Sequence, residues 1–120
     1  MTISRLAMAT AVAVSIALPA LAATSLSPDE IKATFGTGSP IAGRTPGGMT
    51  YTLTLGSDGN AQMVLLKGQK TTSTGTWHVS KDGYCSKWAT NPERCYTVAK
   101  NGKHYDVTNA AGNVIASWTM

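Results

Sequence analysis

The chain has 120 residues and a formal net charge of +4, and only 13% of its residues are charged. Its ten lysines and arginines are spread along the sequence and form no basic run, and no recognised nucleic-acid-binding motif accompanies them. We therefore expect no nucleic-acid partner. The length allows one small domain, which would bury a modest core.

The N-terminal segment has the features of an export signal. Arg5 supplies a positive charge, and Leu6–Leu18 is an uncharged stretch rich in alanine, valine, isoleucine and leucine. Ala20–Ala22 has the small-x-small form of a cleavage site, and the apolar stretch is short for a membrane span. An uncleaved anchor is the alternative. We expect residues 1–22 to be a cleaved signal peptide, and residues 23–120 to be one periplasmic or secreted domain without a stable membrane span.

One short helix is predicted at the start of the mature chain. Ser27 precedes Pro28 and lies three residues before Glu30, which is the pattern of a capping box with proline in the first turn. Gly36 is a typical helix end. We expect a helix over residues 28–35 whose apolar side chains plug one end of a sheet.

The next segments change from loop to strand. Residues 37–48 are rich in glycine, proline, serine and threonine, so we expect a loop with Ile41 as a core anchor. Apolar residues alternate with threonines in residues 49–55, which indicates a strand with one buried face.

Short turns then separate the remaining strands. Asp-Gly and Asn-Gly favour two-residue hairpin turns because both central residues need positive φ. The turn dipeptides are Asp58-Gly59, Asp82-Gly83, Asn101-Gly102 and Ala111-Gly112. The first would return the chain over residues 61–67 and place Val64 opposite Leu53. The other strands are expected near residues 76–81, 84–88, 93–100, 103–108 and 113–119.

Two-residue turns place most aromatic side chains on one face of a single sheet. That face would carry Trp77, Val79, Tyr84, Trp88, Tyr96, Val98, Tyr105, Val107, Val114, Ala116 and Trp118. We expect a mainly β domain, an antiparallel up-and-down meander of about seven strands. Covering the apolar face requires a small closed barrel, a curled sheet plugged by the helix, or a sandwich.

Cys85 and Cys95 are the two cysteines of the chain. They fall opposite each other in the predicted hairpin, and an exported protein is expected to oxidise them. We expect a structural disulfide. A redox pair would usually read C-x-x-C, and two thiolates make at most half of a zinc site, so no metal site is predicted. Lys87 and Glu93 are expected to face each other beside the disulfide.

One polar pair falls on the aromatic face. The register places Ser86 opposite Arg94, between Trp88 and the pair formed by Tyr84 and Tyr96. In one interpretation Arg94 extends past the core and stacks on Trp88. In the other it lines the mouth of an aromatic cup, where its guanidinium binds a carboxylate, a phosphate or a sugar. These five residues are the candidate ligand-binding site.

The chain offers little for catalysis. His78 and His104 are its two histidines, both expected on the face away from the aromatic residues, with Asp106 on the same side as His104. No serine lies in a Gly-x-Ser-x-Gly elbow, and no phosphate loop or haem-attachment motif is present. We expect a protein that is not an enzyme and needs no cofactor.

Residues 75–107 resemble a group of short exported bacterial proteins of unknown function. The resemblance rests on Gly75-Thr76-Trp77, Cys85-Ser86-Lys87-Trp88 and Cys95-Tyr96-Thr97-Val98, which match a G-x-W strand, a C-x-x-W strand and a C-Y/W-x-V strand. It implies export, a disulfide and a small β-domain, and it implies no activity. The G-x-W start is also similar to that of calycin-like barrels, from which no ligand is carried over.

The favoured function is a non-catalytic binding or accessory domain whose partner is a small ligand, an envelope glycan or another protein. The first alternative is a protein inhibitor of a lytic enzyme, which would insert the loop Trp88–Glu93 or Ile41–Gly48. The second is a small hydrolase that uses His104, Asp106 and a serine.

Overall fold

The computed structural model describes residues 24–120, so the signal peptide predicted for residues 1–22 lies outside the described residues. The described part contains one helix, α1 (Pro28–Phe35), and nine strands. The strands are β1 (Thr24–Ser25), β2 (Ile41–Arg44), β3 (Thr50–Leu55), β4 (Asn60–Leu65), β5 (Thr71–Val79), β6 (Tyr84–Trp88), β7 (Arg94–Asn101), β8 (His104–Thr108) and β9 (Val114–Thr119).

Eight of the strands form a closed antiparallel barrel. Strands β2 to β9 pair in chain order, and β9 returns to pair with β2. Strand β1 is the extra strand, which lies against the second half of β7. The predicted mainly β meander with one short helix is confirmed. Of the three predicted solutions the chain adopts the barrel, in which each strand from β2 to β9 has a paired neighbour on both sides.

The strand that closes the barrel was predicted to be loop. That prediction is wrong for Ile41–Arg44, which pairs with both β3 and β9. Ile41 is fully buried, in agreement with its predicted role as an anchor. Gly43 lies opposite Tyr51, and a Cβ at Gly43 would overlap with carbons of the tyrosine ring. Four residues with a central glycine carry a weak strand signal, and the two neighbouring strands stabilise this one.

The predicted pairing of Val64 with Leu53 is wrong by one residue. Leu53 pairs with Met63, because Gly56 also pairs with Asn60 and leaves a turn of three residues, 57–59, rather than two. Gly59 adopts a φ of 86°, and the Gly56 N–H donates to the Asn60 carbonyl at 2.8 Å. This is the common three-residue hairpin in which glycine occupies the left-handed position. An odd change in loop length moves the opposite face of β4 inward.

Two later turns differ from the prediction by an even number of residues. Val79 pairs with Tyr84, so the β5–β6 connection has four residues, and Asn101 pairs with His104, so Gly102 and Lys103 form the β7–β8 turn. Each change moves the register by two residues. Because side chains alternate with a period of two, the residues of β5 to β8 predicted to face the interior still do so. In β9, Val114 was predicted to face inward, but a register shift beside Thr108 leaves it 48% exposed.

The helix closes one end of the barrel. The Ser27 hydroxyl accepts from the Glu30 N–H at 3.2 Å and the Glu30 carboxylate accepts from the Ser27 N–H at 3.1 Å, which completes the predicted capping box. Phe35 is fully buried, with its ring centroid 5.1 Å from that of Trp118. We call this end, with the loops at 56–59, 80–83 and 102–103, the helix end. The opposite end, with the loops at 45–49, 66–70, 89–93 and 109–113, is the open end.

The predicted disulfide between Cys85 and Cys95 is present. It joins β6 to β7, which share three paired positions. The bridge therefore reinforces one of the two shortest strand pairings in the wall of the barrel, the other being that of β2 with β9.

Candidate functional site

The pairing of β6 with β7 brings the predicted site residues together. Tyr84 is opposite Tyr96, and Ser86 is opposite Arg94. Ser86 is only 4% exposed, and its hydroxyl accepts from the Trp88 indole N–H at 3.2 Å. Four of the five side chains therefore converge inside the barrel, while Arg94 is exposed at its rim.

The inside of the barrel holds a small cavity of about 70 Å³. Its walls include Tyr84, Ser86, Trp88 and Tyr96, but Arg94 does not line it. A water molecule needs about 10–15 Å³ of such volume, so the cavity has room for a few waters and is too small for a sugar. The aromatic residues predicted on the inner face mainly fill the core.

Three tyrosines, Tyr51, Tyr84 and Tyr96, line this cavity. The Trp118 indole N–H donates to the Tyr51 hydroxyl at 3.0 Å. Burial raises the pKa of Tyr51, and it raises the pKa of Tyr84 well above the ordinary value of 10.0, with a further contribution from the hydroxyls of Tyr51 and Tyr96. The hydroxyls of Tyr51 and Tyr84 therefore remain protonated at neutral pH.

A split in the barrel wall lies beside the cavity. Arg94–Tyr96 pair with β6 on one side, whereas pairing of β7 with β8 begins at Thr97 and Thr108. Beyond that pair, β8 gives way to the loop that starts at Asn109. The two segments separate there and leave an open groove of about 460 Å³ at the open end.

The groove combines charged, polar and apolar side chains. It is lined by Glu93, Arg94, Cys95, Tyr96, Asn109, Ala110, Ala111 and Ile115. Tyr96 and Ile115 line both the groove and the internal cavity, so these two side chains separate them. The Asn109 carboxamide oxygen accepts from the backbone N–H groups of its own turn, which leaves the Asn109 Nδ2 to donate into the groove.

Arg94 is a cation without a counter-charge. The side-chain ion pairs in residues 24–120 are His78 with Glu93 at 3.5 Å and His104 with Asp106 at 3.3 Å. Glu93, the neighbour of Arg94 in sequence, therefore pairs with His78. It forms no ion pair with Lys87, the residue that was expected to face it. An exposed guanidinium left in this state is free to bind an anion.

Folding also gathers charges that are dispersed in the sequence. The cations at or near the open end are Arg44, Lys67, Lys70, Lys87 and Arg94, with Glu93 as the carboxylate among them. The helix end carries four carboxylates, Asp29, Glu30, Asp58 and Asp82, together with Lys32, Lys81 and Lys103, so its charges nearly cancel. Sequence reasoning missed the excess of cations at the open end. The distribution of charges between the two ends could have been found by counting strands, since alternate loops of a meander lie at the same end of the barrel.

Neither histidine lines the groove or the cavity, although His78 is paired with the groove residue Glu93. The His104 Nε2 is 3.3 Å from Asp106 Oδ1, and the other oxygen of Asp106 accepts from Asn101 Nδ2 at 3.0 Å. Ser117 is opposite Asp106 on β9, but within residues 24–120 no hydrogen bond links it to His104. The expectation that the protein is not an enzyme stays a prediction.

Within residues 24–120, no helix has both the length and the apolar character that crossing a bilayer would require. Comparisons of the chain with protein-family models, with curated proteins and with solved structures give no match. The resemblance to the group of short exported proteins therefore stays a prediction that rests on the residues quoted above.

Proposed function

We propose that this protein is a non-catalytic, exported binding domain that holds an acidic sugar unit of an envelope glycan in the groove beside Arg94. The observation that carries the proposal is the unneutralised guanidinium of Arg94, which shares that groove with the ring of Tyr96. The groove volume of about 460 Å³ lies within the range of small-molecule sites, roughly 300–1,000 Å³.

The lining residues favour an acidic sugar over a simple inorganic anion. The guanidinium of Arg94 matches a carboxylate in a two-pronged geometry. The ring of Tyr96 and the side chain of Ile115 offer an apolar surface to one face of a sugar ring. Glu93, which also lines the groove, repels a dianion such as phosphate but accepts hydrogen bonds from sugar hydroxyls.

Charge and compartment support the same conclusion. The groove lies at the open end, where cations outnumber carboxylates, and this field favours the approach of an anionic polymer. The predicted signal peptide would deliver the chain to the envelope, where glycans are exposed. Periplasmic or secreted localisation is therefore part of the proposal.

The test is a titration of the protein with oligogalacturonate, in which binding is measured by calorimetry and by changes in NMR chemical shifts. We expect binding that weakens by about tenfold or more in R94A, because a hydrogen bond to a charged group contributes about 1.5–3 kcal/mol. K87A is the matched control, since Lys87 is an exposed cation of the same end that does not line the groove.

The outcomes separate a charge effect from a site effect. A neutral oligosaccharide of the same length should bind more weakly than oligogalacturonate. Equal losses in R94A and K87A would mean that only the general field of the open end matters. Unchanged binding in R94A, with an unchanged melting temperature, would overturn the proposal.

Inhibition of a lytic enzyme is the second candidate. It is supported by the ordered loop after Trp88, in which the Asn91 N–H donates to the Trp88 carbonyl at 2.8 Å above the disulfide. The other loop predicted for this role is shortened, because Ile41–Arg44 belongs to the barrel wall. Peptidoglycan hydrolysis by a lysozyme, measured with and without excess protein, tests this candidate, and an unchanged rate would remove it.

A further inference from the structure

Four potential metal ligands meet on the outer wall of the barrel. The His78, Cys85 and Glu93 ligand atoms all lie within 4.8 Å of one another. Cys95 joins them because its sulfur is bonded to that of Cys85. The cysteines alone supply half of a zinc site, and strand pairing adds a histidine from β5 and a carboxylate from the residue before β7.

The register explains why these side chains are neighbours. His78 is opposite Cys85, and Cys85 is opposite Cys95, so the three form a row across β5, β6 and β7. Glu93 lies two residues before Cys95 and reaches back to the His78 Nδ1 at 3.5 Å. Cys85 is only 4% exposed, so one sulfur of the row is shielded from water.

The oxidation state decides whether this row can bind a metal. In the disulfide both sulfurs are covalently bonded, and no thiolate remains to act as a ligand. His78 and Glu93 are then the two remaining donors, and they are occupied with each other in an ion pair. A strong site therefore requires reduction of the disulfide.

We propose that reduction of the Cys85–Cys95 disulfide creates a Zn²⁺ site formed by His78, Cys85, Cys95 and Glu93. A phosphine donates two electrons and the S–S bond breaks, while one water molecule supplies the oxygen of the phosphine oxide and the two protons of the new thiols. A dithiol instead supplies both electrons and both protons and becomes a disulfide. Zn²⁺ then displaces the thiol protons and binds two sulfurs, one imidazole nitrogen and one carboxylate oxygen.

This donor set suits zinc. Cysteine, histidine and carboxylate ligands in tetrahedral geometry place neighbouring ligand atoms about 3.3–3.8 Å apart, as follows from metal–ligand distances of about 2.0–2.3 Å. The ligand atoms of His78, Cys85 and Glu93 are already within 4.8 Å of one another, and the Cys95 sulfur is bonded to that of Cys85, so side-chain rotations and parting of the two sulfurs are the movements required. The metal would then link the same two strands as the disulfide, and β6 and β7 would stay joined in both redox states.

The experiment uses protein reduced with a water-soluble trialkylphosphine, which is removed before the metal is added. Co²⁺ titration reports thiolate ligation through visible absorption, and Zn²⁺ competition gives the affinity. We expect one metal per reduced chain, and no comparable binding by the oxidised chain. H78A should weaken binding by more than about tenfold, since loss of even an outer-shell partner costs about 10–100-fold.

H104A is the matched control, because His104 is also an outer-wall histidine paired with a carboxylate. It should leave the metal affinity unchanged. If the reduced chain unfolds, Zn²⁺ should restore its far-ultraviolet circular dichroism, because metal binding is coupled to folding. Zn²⁺ should not restore the circular dichroism of reduced H78A.

Three results would overturn the proposal. The first is a reduced chain that neither binds Zn²⁺ nor refolds with it. The second is equal binding by the oxidised chain. The third is an equal loss in H78A and H104A, which would indicate nonspecific surface binding. None of these results bears on oligosaccharide binding by the oxidised protein, so the zinc site and the proposed function are tested separately.

Discussion

The substitution Gly43→Ala tests the closure of the barrel. Gly43 is a buried residue of β2, and it lies against the face of the Tyr51 ring. A Cβ at this position would overlap with two carbons of the ring, which cannot retreat freely because the Tyr51 hydroxyl accepts the indole N–H of Trp118. The added methyl group must therefore displace either the ring or β2.

The expected loss follows from two contributions. Overpacking of a filled core costs about 1–3 kcal/mol. If the ring moves, the buried Trp118 N–H loses its acceptor, which adds about 1 kcal/mol. G43A should therefore lower the free energy of unfolding by about 2–4 kcal/mol, and at roughly 4–8 °C per kcal/mol for a domain of this size the melting temperature should fall by at least about 8 °C.

Calorimetry and urea denaturation measure this loss, and Gly47→Ala provides the control. A Cβ at Gly47 has its nearest neighbour, the Thr45 hydroxyl oxygen, at 3.9 Å, so G47A should change stability by less than about 0.5 kcal/mol. Equal stability of G43A and G47A would refute the packing of β2 beneath Tyr51.

Three further predictions concern other parts of the fold. Burial raises the pKa of Tyr84 above 10.0, so the unfolded chain releases that proton first. The free energy of unfolding should therefore hold up to about pH 10 and decline above it, and urea titrations should show a smaller decline in Y84F. Replacing Cys85 and Cys95 together by serine should cost about 2.5–3 kcal/mol, because they join residues ten apart in sequence; a loss below about 1 kcal/mol in chemical denaturation would contradict this entropic account. S27A should lower the free energy of unfolding by about 1 kcal/mol, because the Glu30 N–H loses its cap. S57A is the control serine variant, and equal melting temperatures of S27A and S57A would argue against this role of the cap.

Local patterns were sufficient for the elements that depend on neighbouring residues. The capping box specified α1, because its hydrogen bonds join residues three apart in sequence. The pairings of Cys85 with Cys95 and of Ser86 with Arg94 were also predictable, since both follow from one short hairpin. Of the five predicted site residues, Arg94 and Tyr96 line the groove, whereas Tyr84, Ser86 and Trp88 line only the internal cavity.

The shape of that site was not predictable. The sequence suggested a cup that contains Arg94 and the aromatic rings together. In the fold, Tyr96 and Ile115 separate a small internal cavity from an outer groove, and Arg94 lines only the groove. This division depends on where β8 stops pairing with β7, which is a long-range property of the backbone.

The sequence by itself determined which side chains face inward over most of the meander, because alternation has a period of two and survives the even register changes at two turns. It did not determine the register of β3 with β4, where one extra loop residue reverses the face of β4. Only the tertiary structure decided that β2 closes the barrel, that cations collect at the open end, and that His78 joins Glu93 beside the cysteines. Each of these results depends on pairing between strands, and no local pattern encodes which distant segment will satisfy a free strand edge.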